Sequence, residues 1–162
     1  VRTSSTVRGM GPTRYGKTDS KGSYDHYDSG HPVTIALPQR NLKLTLPETL
    51  QPGEVSSLMI PLGSSTITID TGRSKMVYFY GTATIDGVAY EYTTDYHRSD
   101  YLVATDLAGQ ATIRDLPPGQ WTFHFVGSGP RPSRREGTWA AQELTVPEQG
   151  EIKVELASEA AN

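Results

Sequence analysis

"ATDLAGQATIRDLPPGQWTFHFVG" (104–127) is the stretch whose reading decides the fold. It opens on T-D-x-x-G, a tight turn in which the Asp106 carboxylate can accept backbone N–H groups ahead of it while Gly109 takes the positive φ that closes the loop. A strand follows, and then L-P-P-G. That tetrapeptide suits a type II turn, with Pro118 fixing φ at the first central position and Gly119 supplying positive φ at the second. Beyond it the side chains alternate: Trp121, Phe123 and Phe125 leave on one face of the next strand, Thr122 and His124 on the other. The three aromatics are the expected core.

The same period of two recurs in "VTIAL" (33–37), "LKLTL" (42–46), "TITID" (66–70) and "IKVEL" (152–156), the pattern of half-buried strands. Most breaks between these runs carry Gly, Pro, Asp or Ser, and no helical period of useful length appears. With 35% hydrophobic and 9% aromatic residues, the 162-residue chain is too apolar to be disordered, and its 16 Gly and 11 Pro fit a loop-rich all-β protein.

Two patterns repeat. T-D-x-x-G begins at Thr18 and again at Thr105, while "LMIPLGSSTITID" from Leu58 resembles "LTVPEQGEIKVEL" from Leu144, at nearly the same offset. Recurrence of two unrelated patterns at one spacing predicts two tandem β-sandwich modules, residues 1–70 and 71–157, with a tail at 158–162. On superposing them, Val1 falls opposite Val88, so the first module has no counterpart of "KMVYFYGTATIDG" (75–87) and is expected to lack its opening strand. In the second module this strand offers Met76, Tyr78, Tyr80 and Thr82 on one face and Val77, Phe79, Gly81 and Ala83 on the other.

A sandwich short of one strand exposes apolar surface and a row of unpaired backbone groups. An upstream segment, another part of this chain or a strand from another subunit would complete it. Charge is polarised in a sense that suits head-to-tail contact: Arg2, Arg8, Arg14, Lys17 and Lys21 crowd the front, and Glu143, Glu148, Glu151, Glu155 and Glu159 the back.

The order T-D-x-x-G, short strand, L-P-P-G, aromatic strand and a final "IKVELA" strand resembles the carboxypeptidase regulatory-like module, a transthyretin-like (prealbumin-like) β-sandwich of the Ig-like kind. The likeness covers residues 81–157 best; over 1–70, "DSGHP" stands in place of L-P-P-G. It implies a seven- or eight-stranded sandwich without catalytic machinery, used as an accessory or adhesive unit in secreted and envelope proteins.

A net charge of −3 and a pI near 5.8 leave no basic surplus for nucleic acid. No apolar run is long enough for a membrane-spanning helix. Zero cysteines exclude disulfides and thiolate metal sites. Opening on Val1 without a signal peptide, the sequence reads as a processed product or a piece of a longer chain.

"GPTRYGKT" (11–18) fits the phosphate-loop pattern G-x-x-x-x-G-K-[ST], but "DSKGSYDHYDSG" (19–30) follows it with two glycines and no helical period. A phosphate loop needs the helix whose N-terminus it caps, so no nucleotide is expected. In "YDHYDSGH" (24–31), Asp25, His26, Asp28 and His31 offer oxygen and imidazole ligands. Counted from the turn glycine, however, His26 takes the place of inward Ile113 and Asp25 that of outward Thr112, so one site cannot use all four; no metal and no other cofactor is expected. "EYTTDYHRSDY" (91–101) clusters aromatics with carboxylates, and Tyr92, Asp95, Tyr96, His97 and Tyr101 form the expected small-ligand surface, suited to stacking on sugar rings. Asp95 and Asp100 could be paired for glycoside chemistry, but no cleft is evident to shift one pKa.

The function expected is therefore non-enzymatic: a structural protein of the cell envelope or an extracellular filament, associating with itself or with an envelope neighbour through β-strand contacts. The alternative is a carbohydrate-binding accessory module of a secreted protein, with a glycan as partner.

Overall fold

Alternation becomes strand throughout the residues that the computed structural model describes, which are 4–7, 14–17, 34–46, 60–94, 102–127 and 140–156. In chain order the strands are β1 (Ser4–Val7), β2 (Arg14–Lys17), β3 (Thr34–Leu37), β4 (Leu42–Thr45), β5 (Ser64–Asp70), β6 (Tyr78–Ile85), β7 (Val88–Tyr92), β8 (Val103–Ala104), β9 (Gln110–Arg114), β10 (Gly119–Gly127), β11 (Ala140–Val146) and β12 (Gln149–Glu155). One 3₁₀ turn, Pro38–Arg40, separates β3 from β4, and no α-helix is present among the described residues. The chain is all-β, as expected.

Two sheets face each other. The larger runs β11-β10-β6-β7-β4-β3-β1-β2, antiparallel throughout, with β8 pairing the Tyr78–Phe79 end of β6 that β7 leaves unpaired. The smaller has three strands, β12-β5-β9, with β12 parallel and β9 antiparallel to β5.

The core lies between the sheets and follows the alternation of β10. Trp121, Phe123 and Phe125 are buried. On β6 and just before it, Val77, Phe79 and Ala83 are the inward set. Phe79 is central: its ring centroid lies 5.7 Å from Phe125, 6.3 Å from Phe123 and 6.2 Å from Tyr92, within the range of favourable aromatic pairs. Ile67, Ile69, Ile113 and Val154 close the core from the smaller sheet. Each such large side chain contributes roughly 1.5–3 kcal/mol on burial.

The backbone ladders differ from the two-module expectation. β5, the expected last strand of a first module, lies in the middle of the smaller sheet, between β9 and β12. β4 lies beside β7, and Leu37, Leu42 and Leu44 share one apolar cluster with Trp121 and Phe123. No ladder or core boundary falls at residue 70. Nor do the described residues of the first half form a sandwich with a vacant strand position; they extend the larger sheet and supply the central strand of the smaller one. The reason is physical: a repeated turn motif specifies local conformation, whereas strand pairing is non-local, and an apolar strand such as "TITID" is stabilised most where both its edges and its inner face are covered. The tail at 158–162 lies outside the described residues.

The turn at Thr105–Gly109 matches its expected chemistry. Asp106 Oδ1 accepts hydrogen bonds from the backbone N–H of Ala108 (2.9 Å) and of Gln110 (2.8 Å), and Gly109 has φ 80°. The turn also docks on the link between β5 and β6: Thr71 donates its N–H and its hydroxyl to Gly109 O, each at 3.0 Å. Thr105 Oγ1 accepts the Val77 N–H at 2.8 Å. At the second turn, Gly119 has φ 147°, positive but far beyond the roughly 80° of a type II turn, because it already begins β10. A Cβ on Gly109 would clash with the backbone carbonyl oxygen of Arg73. Gly109→Ala is therefore expected to lose at least about 2 kcal/mol, from the left-handed backbone and the displaced link together; urea unfolding followed by Trp fluorescence measures it, and an unchanged midpoint would contradict this account of the turn.

Candidate functional site

Chemistry-bearing groups outside the core gather on the outer face of the larger sheet. Register places Glu143, Thr122, Thr82, Glu91 and Lys43 in one row across β11, β10, β6, β7 and β4. Neighbouring strands are about 4.8 Å apart, so the row is a flat polar strip. Lys43 Nζ meets Glu91 Oε2 at 2.8 Å, with the two side chains only 20% and 16% exposed. The next row sets His124 beside Tyr80, rings stacked with centroids 4.6 Å apart and planes within 17°. His124 Nε2 and Thr82 Oγ1 are 3.3 Å apart. These groups can hydrogen-bond and stack.

A second surface is the rim formed by β11 and β12, seven-residue strands joined through Pro147 and Glu148. β11 pairs only with β10 and β12 only with β5 among the described strands. Two bonds fix which way β12 turns its backbone: Glu148 O accepts the Ser64 N–H at 2.7 Å, and Leu156 N–H is donated to Asp70 O at 3.0 Å. Because N–H and C=O direction alternates along a strand, the residues in step with Glu148 and Leu156 face β5. Gln149, Glu151, Lys153 and Glu155 thus direct their backbone groups outward. Their side chains share the outer face of the smaller sheet, where Lys153 pairs with Glu155 and lies in register with Thr68. Next to them, the Gly72 N–H (2.9 Å) and the Gln110 side chain (3.2 Å) hold the Asp70 carboxyl below its usual range.

At one end of this rim, Pro61, Leu62, Gly63, Ser64, Pro118, Glu148 and Gln149 line a shallow cleft of about 370 Å³, with Glu148 as its one ionisable side chain. Among the described residues no three His, Asp or Glu side chains are grouped so as to hold a metal ion, and no helix is long and apolar enough to cross a membrane.

Of the residues singled out by sequence, Asp25, His26, Asp28, His31, Asp95, Tyr96, His97 and Tyr101 lie outside the described residues. Tyr92 is described, and it does not belong to a ligand surface. It is 6% exposed, with its ring against Phe79, because the alternation of β7 turns Tyr90 and Tyr92 inward together. Sequence reasoning did not single out the Tyr80–His124 stack. Alternation had already put His124 opposite the core aromatics and given Tyr80 and Thr82 a common face; only the pairing of β6 with β10 brings them together. Comparison with protein-family models, curated proteins and solved structures finds no match for the chain.

Burial raises the pKa of Tyr90 and of Tyr92 above the ordinary 10.0, reinforced at Tyr90 by the Asp86 charge and opposed at Tyr92 by a hydrogen bond to Asn41. The folded chain therefore favours the neutral phenols. Their contribution to stability is complete below the unfolded-state value and is lost as pH rises through the folded-state values. Absorbance titration of the nine tyrosines should show a late-ionising group whose appearance coincides with alkaline unfolding; a single step near pH 10 with the fold intact would refute it.

Proposed function

We propose that this protein is a non-enzymatic structural or adhesive β-sandwich of the transthyretin-like, carboxypeptidase regulatory-like kind, working outside the cell or in its envelope. It associates with itself, or with an envelope neighbour, through β-strand contacts. The observation that supports this reading is the rim: two seven-residue edge strands, one from each sheet, carry outward backbone groups and mostly exposed side chains. An edge of that length is a template for a further strand. Tandem modules and a strand-deficient first module are not needed for it; the rim rests on β11 and β12 alone.

Light scattering across a range of concentrations tests the reading. The mass is expected to rise above the 17.7 kDa of one chain as concentration increases. A mass fixed at one chain up to millimolar concentration would refute self-association.

A second reading rests on the outer face of the larger sheet, where the Tyr80–His124 stack and the adjoining Thr82, Glu91 and Lys43 offer an aromatic platform beside hydrogen-bonding groups. That combination suits a sugar ring. A glycan panel titrated against the protein and its Tyr80→Ala variant is expected to show affinity falling about fivefold, near the 1 kcal/mol of one aromatic contact; the absence of binding would remove this reading.

A further inference from the structure

Four sheet edges end without a described neighbour, β2, β9, β11 and β12, and the two-residue β8 pairs with β6 alone. Their sequences differ in what they can pair with. β2 (RYGK) carries two cations and no anion, β9 (QATIR) one cation and no anion, and β11 (AAQELTV) one anion and no cation. None of these three offers charge complementarity to a second copy of itself. β12 (QGEIKVE) carries Glu151, Lys153 and Glu155 on one face, on the strand whose odd-numbered residues point their backbone groups outward.

We infer that β12 is the self-association edge, pairing antiparallel with β12 of a second copy about a two-fold axis at Ile152. This rests on the self-association proposed above and specifies its surface and register. Three arguments fix the register. In an antiparallel ladder the outward-pointing residues of one strand must lie opposite outward-pointing residues of the other, so the axis has to pass through a residue position and not between two. Strand length and charge then choose among the positions: an axis at Val154 would also oppose Lys153 and Glu155, but it would carry Gln149 and Glu151 past the end of β12. An axis at Lys153 sets Lys153 against itself and Glu151 against Glu155, like charges directly opposite, which destabilise. An axis at Ile152 sets Glu151 opposite Lys153 in both directions and Glu155 opposite Gln149. The outward N–H and C=O groups of all four residues are then satisfied, and the two smaller sheets become one continuous sheet. Charges on an edge ordinarily repel foreign strands; this arrangement repels most partners and matches its own copy.

Charge exchange and crosslinking test it. Lys153→Glu, which places Glu opposite Glu151, is expected to weaken dimerisation at least about tenfold, and Glu151→Lys combined with Lys153→Glu to restore it to within about threefold. Both positions are exposed, so folding is not at stake. The chain has no cysteine, and residues facing each other at the axis in a non-hydrogen-bonded pair have Cα atoms about 4.5 Å apart, within disulfide reach. Ile152→Cys is therefore expected to form a covalent dimer under mild oxidation, whereas Gln149→Cys, which faces position 155, is not. Association that ignores the charge changes, or crosslinking at 149 instead of 152, would overturn the β12 register and leave self-association standing. A wild-type chain that stays monomeric would overturn both.

Discussion

The pairing of β5 on both sides is the constraint on which the rest of the architecture depends. Ser64–Asp70 gives one set of backbone groups to β12 and the alternate set to β9, so its N–H and C=O groups are satisfied within the sheet while Ile67 and Ile69 are pressed into the core. A strand placed this way cannot be withdrawn without leaving two edges open and the aromatic floor of the larger sheet uncovered. The T-D-x-x-G turn supports the same point from the side, because Gly109 O takes both hydrogen bonds from Thr71, the residue immediately after β5.

Holding β5 in the middle also decides where the sandwich ends. With three described strands in the smaller sheet, β12 lies at its described edge, joined through Pro147 and Glu148 to β11 of the larger sheet. The parallel ladder to β5 consumes one set of β12 backbone groups and turns the other set outward, so the rim follows from the core by the alternation of the backbone alone. Its charges alternate with inward residues: Glu151, Lys153 and Glu155 follow one another at every second residue on the exposed face, and Lys153 pairs with Glu155.

On the opposite surface the larger sheet shows how the segment before residue 60 is tied to the segment after it. β4 and β7 share a ladder, Leu42 and Leu44 pack in the cluster that holds Tyr90 and Tyr92, and Lys43 and Glu91 close an ion pair on the outer side. Both faces of this one strand pair thus join the two parts of the chain. An ion pair so far withdrawn from water contributes little net stability compared with an apolar pair, but losing one partner is costly, and it therefore fixes register.

Much of this was legible in the sequence wherever the determining interaction is local. The three inward aromatics of β10, the carboxylate-capped turn at Asp106 and the all-β class follow from period-two alternation and from the φ preferences of glycine and proline, which need no distant neighbour. The faces of 75–83 were legible as two alternating sets, yet which set was inward required Phe123 and Phe125 to stand opposite Phe79. Tyr92 looked like part of an exposed aromatic cluster because its neighbours in sequence are polar, and it became core because its neighbours in space are Phe79 and Leu42. The repeat at Leu58 and Leu144 was real as a pattern and silent about partners: β5 and β12, its two copies, lie side by side in one sheet instead of in separate modules. By itself the sequence determined which residues form strands and turns and how each strand divides its side chains, because those choices are made within a few bonds. Only the tertiary structure decided which strands meet, and with them the rim and the Tyr80–His124 face, because hydrogen-bond pairing between distant strands is settled by the burial of the whole chain at once.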